Sequence, residues 1–251
     1  MANISGKIEG IVSPSSTSEN KVITIPFSTA NAIYFNDGKT LQSKYNNGEL
    51  GGSSTGSKSK WYGKNIVSFG DSITTLYPSV MCEILGAYST NKGSSGGTYT
   101  RDWTILQEMG VAIENYDAVT IMTGHNEGPG DLTLDTSGLL DVADTSNYDS
   151  YPSNYYGGIG KIIEYIRANS NAKIYLITLH YTRLEGYTRS IKCRKALFEL
   201  GEYYACPVVD VYANCGINKT NLSKYSTDLV HLDETGQRML GECIAYQMMY
   251  L

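Results

Sequence analysis

From residue 61 to residue 251, short apolar runs alternate with segments whose apolar residues recur every three or four positions. The runs predict buried strands and the recurring spacing predicts helices; the strand patterns are KNIVSF, AYSTN, DAVTIMTG, AKIYLITL and PVVDVY. Strands that alternate with helices favour an α/β fold, in which a five-stranded parallel sheet carries helices on both faces. Ligands of such sheets bind beyond the carboxyl ends of the strands, so the residues that follow each strand are the first candidates for function.

The segment NNGELGGSSTGSKSK, residues 46–60, is rich in glycine and serine, which is typical of a flexible linker. It separates an N-terminal arm, residues 1–45, from a main domain, residues 61–251. The arm carries two short strand patterns, NKVITIPFS and NAIYF. A segment of fewer than about 50 residues without disulfides rarely folds alone. We therefore expect the arm either to pair with another chain, as a docking or homo-oligomerisation segment, or to fold back on the main domain.

Composition excludes several partners. The net charge is −5 and the basic residues form no cluster, which argues against nucleic acid. No apolar run reaches the roughly 18 residues of a membrane span, and the first residues, MANISGKIEG, lack the features of a secretory signal peptide. The five cysteines lack a CxxC pair, so we expect reduced, mostly buried thiols and no zinc site.

Polar residues with catalytic potential follow three of the predicted strands. Gly70-Asp71-Ser72 ends the first strand, the glycine-rich NKGSSGGTY follows the second, and Gly124-His125-Asn126-Glu127 follows the third. The segment STDLVHLDETG, with Asp228 and His231, precedes the last helix pattern. If the sheet forms as predicted, the serine, the glycine loop and the asparagine meet at one edge, and the STDLVHLDETG loop can reach it.

These residue types meet the needs of acyl transfer. Ser72 is a candidate nucleophile, since a hydroxyl attacks an ester once a base takes its proton. An imidazole such as that of His231 ordinarily titrates near neutral pH and can be that base. Asp228 lies three positions earlier and can orient the ring. The alternatives are a helix-capping or turn serine for Ser72 and a loop-stabilising role for Asp228, with Asp233 as a nearby competitor.

Four blocks in order, GDSIT, NKGSSGGT, GHNEG and DLVH, resemble the SGNH hydrolases, also called the GDSL family, over residues 64–251. The resemblance implies a flavodoxin-like three-layer sandwich, Ser-His-Asp catalysis at Ser72, His231 and Asp228, and no cofactor or metal. It implies an oxyanion hole formed by Ser72, Asn126 and a glycine of the second block, for which Gly96 is the first choice and Gly93 the second. The third block of the family usually reads Gly-x-Asn-Asp, and here Glu127 replaces the aspartate.

Five further residues lie at the same predicted edge of the sheet and are candidates for substrate contact: Asp71, His125, Glu127, His180 and Tyr155. For the first of them, bracing of the turn by hydrogen bonds is the favoured alternative. The stretch from 128 to 156 is long for a strand-to-helix connection and rich in tyrosine and aspartate. It is either a rim that receives a sugar chain or a solvated insertion, and the 21 tyrosines of the chain suit either a sugar surface or the core.

The resemblance and these features predict a serine esterase that removes short acyl groups, most of all acetyl, from a carbohydrate. A lipase or thioesterase of the same family is one alternative. Another is a glycan-binding module of a phage tail, because the IYFNDGKTLQSKY segment resembles tail and baseplate proteins of phages from Gram-positive hosts. Virion-associated and cytoplasmic locations both stay open.

Overall fold

The computed structural model of the protein describes residues 59–128, 147–183 and 186–251, with only the backbone for residues 186–188. The predictions for the arm, for nearly all of the linker and for residues 129–146 of the long connection lie outside the described residues. Among the described helices, none is long and apolar enough to cross a bilayer.

Five parallel strands form one sheet in the order β2-β1-β3-β4-β5. This confirms the predicted α/β class, and the strand order is that of flavodoxin-like folds. In this order the direction in which successive strands are added reverses at β1, so β2 and β3 lie on either side of it. Sheets of this kind bind their ligands at that point. The strands are β1 (Asn65–Gly70), β2 (Tyr88–Asn91), β3 (Ala118–Met122), β4 (Lys173–Ile177) and β5 (Val208–Val209).

Helices cover both faces of the sheet. Helix α1 packs against α6 and the short α5 also contacts α6, while α3 packs against both α2 and α4. Right-handed crossovers between parallel strands place these two groups on opposite faces, which gives three layers. The helices are α1 (Tyr77–Leu85), α2 (Tyr99–Met109), α3 (Tyr155–Asn169), α4 (Gly186–Tyr203), α5 (Val211–Asn214) and α6 (Glu234–Tyr250).

The core lies between the sheet and the two helical layers. All five residues of β3 are buried, as are the last five residues of β1. Four tyrosines are fully buried, in the place where phenylalanine is the more common choice: Tyr77, Tyr155, Tyr156 and Tyr175. At least part of the tyrosine content therefore serves the core.

The fifth strand is shorter than its pattern predicts. PVVDVY reads as a single strand, but only Val208 and Val209 pair with β4. The side chain of Asp210 then accepts the Ala213 N–H at 3.4 Å and caps α5. A capping aspartate offers the backbone a helical alternative to the ladder, which ends the strand early.

All five cysteines are free and buried, as the sequence predicts. Burial raises the pKa of the Cys82 thiol to about 11 and that of Cys193 to about 12. Because the thiolate is the reactive form, these thiols are chemically inert at neutral pH.

Candidate active site

The turn after β1 carries Ser72 to the carboxyl edge of the sheet. Gly70 has φ +152°, and a Cβ there would lie 2.2 Å from the carbonyl oxygen of Met122 on β3. Only glycine allows the two strands to approach so closely at this point. Asp71 then closes the turn, because its Oδ1 accepts the Ile73 N–H at 2.9 Å. Ser72 thus lies at the end of a rigid strand and is partly exposed.

The structure brings Ser72, His231 and Asp228 into one hydrogen-bonded line. The Oγ of Ser72 lies 2.9 Å from Nε2 of His231. The Nδ1 of the same ring lies 2.6 Å from Oδ2 of Asp228. An ionised carboxylate only accepts, so the ring proton is on Nδ1 and the Nε2 lone pair faces the hydroxyl. This is the arrangement in which an imidazole can take a proton from serine.

The carboxylate of Asp228 holds the DLVH turn in the conformation that positions His231. Oδ1 of Asp228 accepts the N–H groups of Val230 and His231, at 2.9 and 2.7 Å, and the hydroxyl of Ser226 at 3.1 Å. The hydrogen bond from His231 is the main reason that the pKa of the Asp228 carboxyl lies well below its usual range, and the other donors add to it. The carboxylate is therefore ionised at neutral pH and can stabilise an imidazolium.

Two backbone N–H groups, one of Ser72 and one of the glycine loop, are candidates for an oxyanion hole. Among the described residues, the N–H groups of Ser72 and Gly96 have no hydrogen-bond acceptor. The N–H of Gly93 instead donates to Oδ1 of Asn91 at 2.7 Å, so it is already occupied. Gly96 has φ +70°, in the left-handed region that glycine tolerates best. The geometry favours Gly96 over Gly93 as the glycine donor.

Asn126 is exposed and joins the third block to the glycine loop. Its Nδ2 donates to the carbonyl oxygen of Gly97 at 3.0 Å. An amide nitrogen carries two hydrogens, so the second one remains able to donate to an oxyanion.

Replacement of Asn126 by alanine should lower kcat for an ester substrate by about 100- to 1000-fold, the usual cost of one oxyanion donor. The test is steady-state hydrolysis of p-nitrophenyl acetate by N126A, beside N115A as a matched control. Asn115 donates to the carbonyl of Ala112 in the 3₁₀ turn before β3, at the opposite edge of the sheet. Equal kcat values for the two variants would show that Asn126 is not an oxyanion donor.

The five residues expected to contact substrate instead have buried side chains that contact other parts of the protein. Oδ2 of Asp71 accepts from the backbone N–H of His125 at 3.2 Å and from its Nδ1 at 2.9 Å. The His125 and His180 rings lie 5.1 Å apart. Glu127 accepts the N–H of Tyr99 at 2.8 Å, and the Tyr155 hydroxyl donates to the Thr123 carbonyl at 2.8 Å.

Burial of these side chains indicates support rather than substrate contact. The side chains of His125 and Asp71 are 6% and 0% exposed. His180, Glu127 and Tyr155 are also buried. Burial raises the pKa of the Asp71 carboxyl, but the charge and hydrogen bonds of His125 outweigh it and lower that pKa overall. The favoured alternative for Asp71, that it braces the turn, agrees with these contacts.

Asp102, in the first turn of α2, belongs to this buried region but was not anticipated from the sequence. It is fully buried, and neither carboxyl oxygen has a hydrogen bond within normal geometry to a described residue. Burial raises its pKa well above the usual range, and the charges of Asp71 and Glu127 raise it further. The nearby polar groups of Gly70 and Thr123 lower this pKa, but by less than burial raises it.

The substitution Asp102→Asn should stabilise the protein, and more so at pH 8 than at pH 5. In the unfolded chain aspartate ionises near pH 3.9, roughly, whereas the folded protein keeps the proton to higher pH. The stability linked to that proton is fully present below the unfolded-state pKa and is lost as pH rises through the folded-state pKa. Asparagine cannot ionise, so a gain of about 1 kcal/mol, or about 2–4 °C in Tm, is expected at pH 8. Equal gains in thermal melts at the two pH values would contradict this.

Gln237 and Asp233 on either side of the start of α6 also have structural roles. The Gln237 side chain accepts the Tyr77 N–H at 3.1 Å and donates to the Ile73 carbonyl at 3.2 Å, which ties α6 to the turn of Ser72. A glutamine on the apolar face of a helix was the only sequence signal for this role. Asp233 caps α6 by accepting the Gly236 N–H at 2.8 Å, so it does not compete with Asp228 for His231.

In the described ranges, no group of three or more histidine, cysteine, aspartate or glutamate side chains is arranged to hold a metal ion.

The sequence profile of the GDSL-like lipase/acylhydrolase family matches residues 59–239, more than two thirds of the chain. No curated protein sequence matches the chain.

Solved structures share the fold. A lipase/acylhydrolase from Enterococcus faecalis is 22% identical, with a TM-score of 0.54 over 74% of this chain and 96% of its own. A catalytic mutant of an acetylxylan esterase from Geobacillus stearothermophilus is 17% identical, with a TM-score of 0.54 over 74% of this chain and 94% of its own. A GDSL-like lipase from Bacteroides thetaiotaomicron is 17% identical, with a TM-score of 0.50 over 74% and 88%. At these identities the likeness concerns the fold.

Proposed function

The chain belongs to the GDSL-like lipase/acylhydrolase family and is an ester hydrolase, and we propose that it removes short acyl groups, above all acetyl, from a carbohydrate. The observation that carries the proposal is the line from Ser72 through His231 to Asp228, with contacts of 2.9 and 2.6 Å. A serine in this setting is activated for attack on a carbonyl carbon.

The first half of the reaction transfers the acyl group to the enzyme. Ser72 Oγ attacks the ester carbonyl carbon while its proton passes to Nε2 of His231. The carbonyl oxygen becomes an oxyanion, which the N–H groups of Ser72 and Gly96 and the amide of Asn126 stabilise. Collapse of this intermediate breaks the bond to the sugar oxygen, which leaves with the proton from His231.

The second half releases the acyl group by hydrolysis. A water molecule gives its proton to Nε2 of His231 as its oxygen attacks the acyl-enzyme carbonyl. Collapse of the second oxyanion returns the proton to Ser72 Oγ and frees the carboxylic acid. Through both halves Asp228 keeps the ring proton on Nδ1 and stabilises the imidazolium that forms twice per turnover.

The exposure of the triad favours a polar, extended substrate. The side chains of His231 and Asp228 are 55% and 52% exposed. A single acetyl ester on a hydrated sugar chain can approach such an open site without losing the solvation of the rest of the chain. A long acyl chain, in contrast, gains most by entering a closed apolar cavity.

Most large exposed apolar side chains of the described residues lie away from the reacting edge; Ile191, in the first turns of α4, is the exception. Among the described residues, the large exposed ones precede a strand, begin a strand, lie on helices or follow the end of α6, and none lies in a loop after a strand: Tyr62, Tyr88, Val111, Ile191, Phe198, Tyr203, Tyr250 and Leu251. This distribution supports a short-chain esterase over a lipase. That an acetylxylan esterase shares the fold also supports a carbohydrate ester as substrate.

A panel of p-nitrophenyl esters from two to twelve carbons, run beside acetylated polysaccharides, tests the proposal. We expect the highest kcat/KM for acetate and release of acetate from at least one polysaccharide. Ser72→Ala run in parallel gives the background rate. A preference for eight carbons or more, or hydrolysis of the small ester without release from any polysaccharide in the panel, would contradict the carbohydrate assignment.

A further inference from the structure

The segment after β4 holds the turn that carries His231. The carbonyl of Leu229 accepts the Arg183 N–H at 3.1 Å. The next carbonyl, that of Val230, lies 3.0 Å from Nε2 of His180. The first contact is between backbone groups, whereas the second is a hydrogen bond from the His180 side chain.

This turn has a conformation that needs outside support. Leu229, between Asp228 and Val230, has φ +65°. A non-glycine residue in the left-handed region costs free energy and persists only where its surroundings hold it. The contacts from the segment after β4 fall on the strained residue and on the one that follows it.

The state of the His180 ring is fixed by its surroundings. A carbonyl oxygen only accepts, so Nε2 carries the proton and donates it to Val230. The residue is fully buried. That burial, together with the charge of His125, lowers the pKa of His180 to about 3, so the ring is neutral at neutral pH.

An apolar side chain of similar size would avoid the free-energy cost of burying an unpaired ring nitrogen at this position. In the described part of the chain, Nδ1 of His180 is buried and has no hydrogen-bond partner. A buried polar atom without a partner lowers stability. Among the described residues, the one hydrogen bond of the His180 ring goes to the carbonyl of Val230, the residue directly before His231.

We propose that His180 is a positioning residue for the reaction: its Nε2–H holds the Val230 carbonyl and thereby fixes the His231 imidazole opposite Ser72. The inference rests on the proposed function, because it assigns His180 to the same triad. A displacement of about 1 Å between reacting groups can cost about 100-fold in rate, so loss of this hydrogen bond should be visible in kcat.

Three variants separate the hydrogen bond from simple packing. Glutamine places an amide N–H near the position of Nε2, asparagine places it near that of Nδ1, and leucine has no donor. We expect His180→Gln to keep kcat for p-nitrophenyl acetate within about threefold. His180→Asn and His180→Leu should each lower it by about 10- to 100-fold with little change in KM. Thermal melts identify the folded variants, and if the leucine variant does not fold the glutamine–asparagine pair still gives the comparison.

A second readout does not need turnover. The 2.6 Å contact between His231 Nδ1 and Asp228 Oδ2 should give a strongly downfield proton resonance in the NMR spectrum of the full chain. We expect that resonance to persist in the glutamine variant and to shift or broaden in the asparagine and leucine variants. A role for His180 in packing alone would leave it unchanged.

Two results would overturn the inference: wild-type kcat and an unshifted resonance in the folded leucine or asparagine variant, or equal losses in all three variants. Failure of the proposed function is a separate outcome, since it would appear as an inactive wild-type protein. The resonance would then still decide whether His180 positions His231.

Discussion

Ser72→Ala should lower kcat for p-nitrophenyl acetate by about 10⁴- to 10⁶-fold, because the variant has no hydroxyl to accept the acyl group. The remaining rate should still exceed that of the uncatalysed reaction, since the N–H donors and His231 stay in place. The loss should fall on kcat rather than KM, because Ser72 bonds to the substrate only during the reaction. Stopped assays at saturating ester, with the thermal melt of each sample, measure both quantities.

A second serine provides the control for that substitution. Ser79, at the start of α1, donates its hydroxyl to the Leu76 carbonyl at 2.7 Å and lies outside the triad. Ser79→Ala should keep wild-type kcat. If Ser72→Ala kept more than about a tenth of the wild-type rate while folded, acyl transfer through Ser72 would be excluded.

Asp228→Asn should lower kcat by about 10⁴-fold with little loss of structure. The asparagine oxygen can still accept from Ser226, Val230 and His231, which are the contacts of Asp228 Oδ1. Its amide group, however, donates a hydrogen where Oδ2 accepted one. The His231 proton must then move to Nε2, and the ring can no longer take the proton of Ser72.

Asp233→Asn is the matched control for this change. Asp233 caps α6 through the Gly236 N–H, and asparagine is as good a capping residue as aspartate. We expect wild-type kcat and an unchanged Tm from Asp233→Asn. Comparable losses in both aspartate variants would mean that the charge of the loop, not the tautomer of His231, is what matters.

Most of the fold follows from patterns local to the sequence. The strands β1, β3 and β4 are continuous apolar runs, and the helices repeat apolar residues at helical spacing, so their order alone predicts the parallel sheet. The fifth strand was predicted too long, because a pattern of apolar residues does not show that Asp210 will cap a helix. Its end is set by a side-chain hydrogen bond rather than by periodicity.

The three residues of the triad could be predicted because each lies in a short motif at the end of a strand or before the last helix. The buried residues around the triad could not be predicted in this way. His125 and His180 follow separate strands, β3 and β4, and meet only in the folded protein, with rings 5.1 Å apart. Asp102 lies on an ordinary amphipathic helix, and its burial depends on what α2 packs against. Such long-range contacts have no local signal.

Covalent labelling of the serine tests the central claim most directly. A serine-directed phosphonate should react once per chain, and mass spectrometry of the digested protein should place the adduct on the peptide that contains Ser72. Asp228→Asn should label far more slowly and Ser72→Ala not at all. An adduct on another residue, or undiminished labelling of Ser72→Ala, would contradict the account.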